Sequence, residues 1–330
     1  MACISDEPKT EAATTISAVH PDIIHANILT RLDGAALASA VSSCSQFRTL
    51  SFHEDLWSNA CHSTWPSTSS PRVRQVISTF SGGSRSFFAD SFPTFSTTTA
   101  TDAAAPDQTP ELISAVDIFH RDRLILSKVV ETETVTGWFR GSPFRVDMLD
   151  SKDVVRTVCK DDTCRDLRVS WIVNDPARKR AVNVSSGEAV CVEEHWLSGE
   201  VRSRFATVVT RKRGMAVALC SVVVVTWWRP GGGEEVREVS LQVEDMDGKL
   251  LNGRDSLVIL MRVLEGERRR GKKEGFCSWS YREFVNMKKE REEEKVRAER
   301  RLDMLLCLCV GLIALTFTAL FVLWRWKNLL

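Results

Sequence analysis

The sequence lacks a strong charge bias, a dense set of cysteines and an apolar leader at its start. Its 44 basic residues are balanced by 43 acidic ones, and without a basic excess we expect no nucleic-acid partner. Ten cysteines are spread along 330 residues, which favours a reducing compartment over a disulfide framework. Residues 1–10 contain no apolar segment, so we expect no secretory signal peptide.

Motifs for catalysis and for cofactor binding are missing as well. No glycine-rich phosphate loop followed by Lys-Ser or Lys-Thr occurs, and no nucleophile or acid–base set stands out, so we expect neither an enzyme nor a cofactor. Metal ligation by Cys159, Cys164, Cys191 and His195 is conceivable. Because strand-like sequence separates these residues, we interpret the cysteines as buried or incidental and expect no metal site. Trp196 is expected in the core, beside a surface histidine.

One long apolar run is present, from Met304 to Trp324, with 21 residues and no charge. At a rise of about 1.5 Å per residue, such a helix can cross a hydrocarbon layer of about 30 Å. We therefore expect a single-pass C-terminal anchor with residues 1–303 facing the cytosol. The endoplasmic reticulum is the expected membrane, and an organelle outer membrane and the nucleus stay open. Asn183-Val184-Ser185 is a glycosylation sequon, which would matter only in a lumenal domain, and we interpret it as unused.

Composition divides the chain into seven segments that together predict an α+β protein. They are a flexible N-terminus, a three-helix module, a helical extension with a linker, a β-rich domain, a basic loop with a charged helix, a transmembrane helix and a short tail. Their bounds are, in that order, 1–18, 19–65, 66–110, 111–265, 266–303, 304–324 and 325–330. The linker assignment depends on the serine, threonine, alanine and proline content of residues 91–110.

The β-rich segment carries short runs of β-branched and aromatic residues between turns, which are typical of strands. A sandwich or a strongly bent sheet is expected, with one packed helix. The run 216–228 is too short to span a membrane as a helix, and its four consecutive valines favour a buried strand. The predicted strands are 112–119, 124–130, 167–173, 180–184, 216–228 and 236–243.

Two helices are predicted after the strands. Asp255 can serve as the N-cap of a helix over 256–264, and Ser280 as the N-cap of a long helix that runs into the apolar C-terminal run. Between residues 288 and 301, twelve of fourteen residues are charged. Pairs such as Glu293 with Arg297, and Glu292 with Lys295, have the spacing that stabilises an exposed helix.

Residues 19–61 predict a small helical module. Pro21 suits the first turn of a helix, Asp33-Gly34 ends that helix, and two shorter helices follow. The apolar residues at helical spacing are Ile24, Ile28, Leu29, Leu32, Leu37, Ala40, Val41, Cys44, Phe47, Leu50, Leu56 and Trp57. Because so short a module has a small core, it commonly leaves apolar surface for a partner to cover.

The order and spacing of these residues resemble the F-box. That family has a Leu-Pro opening, an Ile-Leu pair, a Leu-Asp turn, an aliphatic helix leading to cysteine, an aromatic residue three positions later and a terminal Leu-Trp. The matching residues are Pro21, Ile28-Leu29, Leu32-Asp33, Leu37, Cys44, Phe47 and Leu56-Trp57. Two positions depart from the pattern: His20 replaces the usual leucine, and Phe47 the usual tryptophan.

Further segments resemble a plant subgroup of F-box proteins, several of which end in an apolar tail. The resemblance covers most of the chain, and its most specific part is the F-box. The additional matching segments are Cys61, Trp65-Pro66-Ser67, Phe87-Phe88-Ala89-Asp90, Phe92-Pro93, Gly137-Trp138-Phe139, Pro143-Phe144-Arg145, residues 169–173, Asp247-Gly248-Lys249 and residues 252–257.

The resemblance implies a non-catalytic substrate receptor of an SCF (Skp–cullin–F-box) ubiquitin ligase. Its implied partners are a Skp-type adaptor, through it a cullin–RING ligase, an unidentified protein substrate and the lipid bilayer. The residues implied for adaptor contact or its support are Pro21, Ile24, Ile28, Leu29, Leu32 and Leu37. The residues implied for the module's core are Val41, Cys44, Phe47, Leu50, Leu56 and Trp57. The alternative is a membrane-tethered binding or scaffold protein whose F-box recruits no ligase.

Overall fold

The computed structural model describes residues 19–92, 109–150, 153, 155–156, 166–210, 216–229, 233–266 and 275–328. It confirms the α+β class: a helical N-terminal region, β-sheets in the middle and a long C-terminal helix. The predicted flexible N-terminus, most of the predicted linker and most of the basic loop lie outside the described residues. The bounds of the domains stay a prediction.

Short helices and two 3₁₀ turns make up the helical region, residues 19–92. The helices are α1 (Pro21–Asn27), α2 (Gly34–Ser43), α3 (Ser45–Leu50), α4 (Glu54–Thr64), α5 (Pro71–Ser78) and α6 (Gly83–Ser91), and the turns are Leu29–Arg31 and Pro66–Ser69. Asp33 separates two helices as predicted. Its carboxylate Oδ1 accepts a hydrogen bond from the Ala36 amide at 2.7 Å and so caps the start of α2.

The middle of the chain forms two antiparallel sheets. The strands are β1 (Glu111–His120), β2 (Arg123–Glu133), β3 (Arg145–Asp147), β4 (Val155–Arg156), β5 (Leu167–Asp175), β6 (Arg180–Asn183), β7 (Gly187–Glu188), β8 (Cys191–Glu194), β9 (Glu200–Thr210), β10 (Ala216–Arg229) and β11 (Gly233–Asp245). The first sheet has the order β2-β1-β5-β6, with β7 paired to β5. The second has the order β3-β11-β10-β9-β8, with β4 paired to β11. All six predicted strands are present.

The two sheets face each other as a sandwich and share one core. Successive side chains of a strand point to opposite faces, so β1 and β5 each contribute alternate residues to that core. The helix α8 (Gly253–Glu265) packs at its edge, and the short helix α7 (Gly137–Gly141) lies next to α8. Representative buried side chains of the sandwich core are Val116, Trp171, Phe205, Val222 and Leu260.

Both outer faces of the sandwich are covered by helices. On the first sheet, Ile113, Ala115 and Ile172 share a buried cluster with side chains of α4, α5 and α6. On the second sheet, Phe284 packs against a cluster that includes Val208. Phe284 belongs to α9 (Phe276–Lys327), a helix of 52 residues. The described chain is therefore layered as helices, sheet, sheet and helix.

The starts of the two long helices differ from prediction. Asn252, not Asp255, caps α8, because its side-chain oxygen accepts a hydrogen bond from the Asp255 amide at 2.8 Å. The next residue, Gly253, approaches the chain so closely that a Cβ there would lie 2.1 Å from the Phe139 carbonyl oxygen. Helix α9 begins at Phe276 rather than after Ser280, following a glycine with a left-handed backbone.

One of the two charge pairs predicted along α9 is confirmed. Arg297 and Glu293 form an ion pair at 2.7 Å. Lys295 instead lies 2.8 Å from Asp247, in the turn that follows β11. That ion pair keeps the pKa of the exposed Asp247 carboxyl below its ordinary value. It ties the middle of α9 to the end of the second sheet.

A buried carboxylate joins the helical region to the first sheet. Asp117, on β1, is fully buried and accepts hydrogen bonds from the Ser67 amide at 2.9 Å and the Ser67 hydroxyl at 2.5 Å. Burial raises the pKa of Asp117 above its ordinary 3.8, although hydrogen bonds from Ser67 and Ser127 oppose the shift. Two ion pairs support the junction: Arg72 with Glu111, and Arg180 with Asp90.

We expect Asp117→Ala to lower the free energy of unfolding by about 1–3 kcal/mol, because it leaves the buried Ser67 amide without its acceptor. Urea unfolding of the full chain in detergent, followed by tryptophan fluorescence, measures this loss. In a double-mutant cycle, Asp117→Ala and Ser67→Ala should show a coupling of about 1–2 kcal/mol. A coupling of zero would show that the two side chains do not stabilise the junction together.

Asp117→Asn is the matched control, because an amide can accept from the Ser67 amide and donate to the Ser67 hydroxyl. Asp117 binds its carboxyl proton more tightly in the folded wild type than in the unfolded chain, because its pKa is raised on folding. The free energy of unfolding of the wild type, relative to that of Asp117→Asn, should therefore fall as the pH rises from about 3.8 through the raised pKa. If the difference in free energy of unfolding between the two proteins stays constant with pH, Asp117 is not a buried ionisable group.

Candidate functional site

The first helix presents apolar side chains on both of its sides. His20 caps α1, with its ring Nδ1 accepting from the Asp22 amide at 3.3 Å, and Pro21 occupies the first turn. Ile24 is fully buried, whereas Ile23 is 51% exposed and Ile28 is 39% exposed. Ile24 packs the helix onto the core of the module, and the two isoleucines leave apolar side chains exposed next to it.

The residues predicted for adaptor contact fall into two groups. Pro21 and Ile28 are exposed and Leu32 is partly exposed, so a partner protein can reach these three directly. Ile24, Leu29 and Leu37 are buried in the helical region, so they can act only by holding the surface residues in place. Ile23, which sequence reasoning missed, is exposed as well. The signal available in the sequence was the Ile23-Ile24 pair, because adjacent residues of a helix face different directions.

The residues predicted for the core of the module lie inside or at its boundary. Val41, Leu56 and Trp57 are buried, and the three remaining ones, Cys44, Phe47 and Leu50, are partly buried. The Trp57 indole donates a hydrogen bond to the Ser51 carbonyl oxygen at 2.8 Å. The sulfur of Cys44 accepts from the Phe47 amide at 3.4 Å and caps α3.

The module shares its core with the helical extension. A Cβ on Gly34 would lie 2.0 Å from the ring of Phe88, so α2 and α6 touch at a glycine. The same ring lies 5.6 Å from Trp57 and 5.2 Å from Trp65, measured between ring centroids. The carboxylate of Glu54 accepts a hydrogen bond from the first turn of α6. These contacts enlarge a core that would be small with three helices alone.

Cys61 and Cys191 make contacts within the fold. Burial raises the pKa of the Cys61 thiol to about 12, and its sulfur lies 3.6 Å from the Ser84 carbonyl oxygen, which makes it a poor nucleophile. Cys191 contacts the Glu193 carboxylate at 3.5 Å. His195 accepts from the Ser198 amide within an exposed turn. The other two residues of the conceivable metal set, Cys159 and Cys164, lie outside the described residues.

The sandwich displays large side chains to the solvent. Trp196 is 87% exposed, so its predicted place in the core is wrong. It lies in the short turn between β8 and β9, outside both strands, so neither strand directs its side chain into the core. Leu197 beside it and Trp138 in α7 are exposed as well. Exposed tryptophans of this kind are typical anchors of protein interfaces.

The second half of α9 is apolar on every side. From Met304 to Trp324 every side chain is exposed. Within the described part of the chain, α9 is the one helix long and apolar enough to cross a membrane. A helix that is apolar all round and covered by no other layer fits a membrane anchor.

Comparisons with known proteins identify the chain. No family model matches it, and no solved structure matches it. It is 46% identical to "Probable F-box protein At2g36090" of Arabidopsis thaliana, over 97% of this chain and 98% of the relative. It is 41% identical to the Arabidopsis "F-box protein At2g27310", over 94% and 97% of the two chains. It is 39% identical to "F-box protein At3g44326" of the same plant, over 98% and 95%. The chain belongs to the plant F-box protein family.

Proposed function

We propose that this F-box protein is a non-catalytic substrate receptor of an SCF ubiquitin ligase, anchored in a membrane by α9. The observation that supports it most is the set of exposed apolar side chains on and just after α1, in a chain that is similar over nearly its whole length to F-box proteins. In this proposal a Skp-type adaptor covers Pro21, Ile23, Ile28 and Leu32. The adaptor connects the receptor to a cullin–RING ligase.

The receptor acts by holding its target close to the ligase rather than by chemistry of its own. Linking two binding events in one molecule raises the effective concentration of the target. The contacts between the helical region and the first sheet set the distance between the adaptor and the target-binding surface. Since Asp117 and the ion pairs of Arg72 and Asp90 join them, the target-binding surface stands at a fixed position relative to the adaptor.

We assign target recognition to the sandwich, and within it to its exposed apolar residues. Trp196 and Leu197 lie at the tip of the β8–β9 turn, and Trp138 lies in α7. Tryptophan is enriched among the residues that dominate the binding energy of protein interfaces. The proposed partner is therefore a protein rather than a small ligand.

For the membrane, we propose a tail anchor in the endoplasmic reticulum with the F-box and the sandwich in the cytosol. The folded sequon supports this orientation. The Asn183 side chain accepts from the Trp171 amide at 3.1 Å and donates to the Ser170 hydroxyl. Ser185 is fully buried. A glycan on Asn183 would break these contacts, which agrees with a domain that does not face the lumen.

Ile28→Asp should abolish retention of a Skp-type adaptor, because it places a charge in the apolar contact surface. Co-purification of the adaptor with the full chain in detergent measures the effect. Leu124→Asp is a matched control, since Leu124 on β2 is also 39% exposed but lies outside the helical region. If the wild type and both variants retain the adaptor equally, or none retains it, the receptor proposal fails and a scaffold protein becomes the better description.

Two charges in the apolar half of α9 should release the protein from membranes. Each arginine at the centre of a transmembrane helix costs about 3 kcal/mol, so Leu312→Arg with Leu315→Arg should move the chain to the carbonate-soluble fraction. The pair Leu312→Val with Leu315→Val should stay in the membrane pellet.

For the orientation, protease treatment of intact microsomes should digest residues 1–303 of the wild type. Protection of that region would contradict the orientation.

A further inference from the structure

Three potential metal ligands meet at the junction of α1 and α4. The ligand atoms of His25, His53 and Asp55 all lie within 4.8 Å of one another. His25 Nε2 is 3.4 Å from the Asp55 carboxylate oxygen Oδ2. The two imidazole rings are 4.8 Å apart between centroids and are oriented edge to face. The three residues come from two elements that are distant in sequence.

Among the described residues, the His25–Asp55 contact and the contact between the two rings are the only interactions of these side chains. His53 stands at the N-cap position of α4 but makes no side-chain capping hydrogen bond. The Nε2 atom of His25 is shielded from solvent, and although it lies 3.4 Å from the Asp55 carboxylate, the two groups are not oriented for a hydrogen bond. A buried ring nitrogen without a hydrogen bond is costly, unless another species fills its coordination.

We propose that His25, His53 and Asp55 form a binding site for a divalent transition metal ion, with Zn²⁺ as the best match. Histidine nitrogens and carboxylate oxygens bind Zn²⁺ at about 2.0–2.2 Å, which places neighbouring ligands of a tetrahedral site about 3.4 Å apart. The separation of His25 Nε2 and Asp55 Oδ2 has this value. Three protein ligands leave a fourth position for water.

A plain histidine–aspartate ion pair explains less of the arrangement. It would account for His25 and Asp55 but not for the second imidazole against them. A metal ion takes both rings in their neutral form and one ionised carboxylate, so each of the three groups has a ligand function. Hard cations such as Mg²⁺ are disfavoured, because they prefer oxygen ligands.

The bound ion would join α1 to the start of α4. Helix α1 also carries Ile23, and Ile28 follows it as the C-cap; both are exposed residues of the proposed adaptor surface. Any ion that binds the folded state and not the unfolded state stabilises the fold by mass action. Zinc would therefore stabilise the region of the chain that presents this surface, without touching the surface itself.

Zinc titration of the metal-stripped full chain in detergent tests the site. We expect ZnCl₂ to raise the unfolding temperature of the wild type, and His25→Gln and His53→Gln each to lower the bound zinc by one equivalent. His62→Gln is the matched control, because His62 lies on α4 outside the cluster. Zinc held by cysteines elsewhere contributes equally to all four proteins and cancels in the comparison.

Co²⁺ gives an independent readout, since its visible absorption is intense only in tetrahedral sites. The wild type and His62→Gln should show this band, and His53→Gln, an exposed substitution that leaves the core intact, should lose it. Equal zinc content and equal spectra in the wild type and both cluster variants would overturn the proposal. Ile28→Asp should keep its metal whether or not it loses the adaptor, so the site and the ligase function fail separately.

Discussion

Strands β1 and β5 of the first sheet are buried on both faces, and the rest of the architecture depends on this constraint. One face of β1 and β5 packs on the second sheet, and the other packs on the helices α4–α6. Neither cover can be removed without exposing apolar surface to water. Asp117 makes the match specific, because a buried carboxylate requires partners, and Ser67 supplies two hydrogen bonds from the helical side.

This constraint changes the picture of the F-box in the chain. By composition it is a separate small module followed by a linker. In the structure its core continues into α5 and α6 through Phe88, and these helices lie on the sandwich. Thr109 is the first described residue after Phe92, and its buried hydroxyl donates to Asp175 at 2.8 Å. The described ends of the linker are therefore held by the same packed unit.

Sequence patterns predicted the strands well where the residues themselves signal burial. The valine run of β10 and the hairpin of β1 and β2 are examples. Strand β9 escaped prediction because Arg202 and Arg204 interrupt its first half, and only the structure shows that Arg204 pairs with Glu244 at 2.7 Å. Local patterns also carry no information on which layer covers which face of a sheet.

The candidate site was predicted in part for the same reason. Ile28 and its neighbours follow a local motif, so the sequence could single them out as candidates. Trp196 was assigned to the core from residue type alone, although its turn holds it in solvent. His25 and His53 have no short spacing to reveal them, since packing rather than sequence brings them together. Long-range contacts of this kind are decided by the tertiary fold.

The unbroken helix α9 has a consequence for reach. Lys295, which pairs with Asp247 of the sandwich, precedes Met304 by nine residues, or about 14 Å of helix. In the proposed membrane-anchored arrangement, the Asp247 end of the second sheet lies close to the lipid surface. The β8–β9 turn with Trp196 lies at the opposite end of strands that run about 35 Å. In that arrangement the turn proposed to bind the target stands well away from the bilayer, which favours target proteins that project from the membrane over those that lie flat on it.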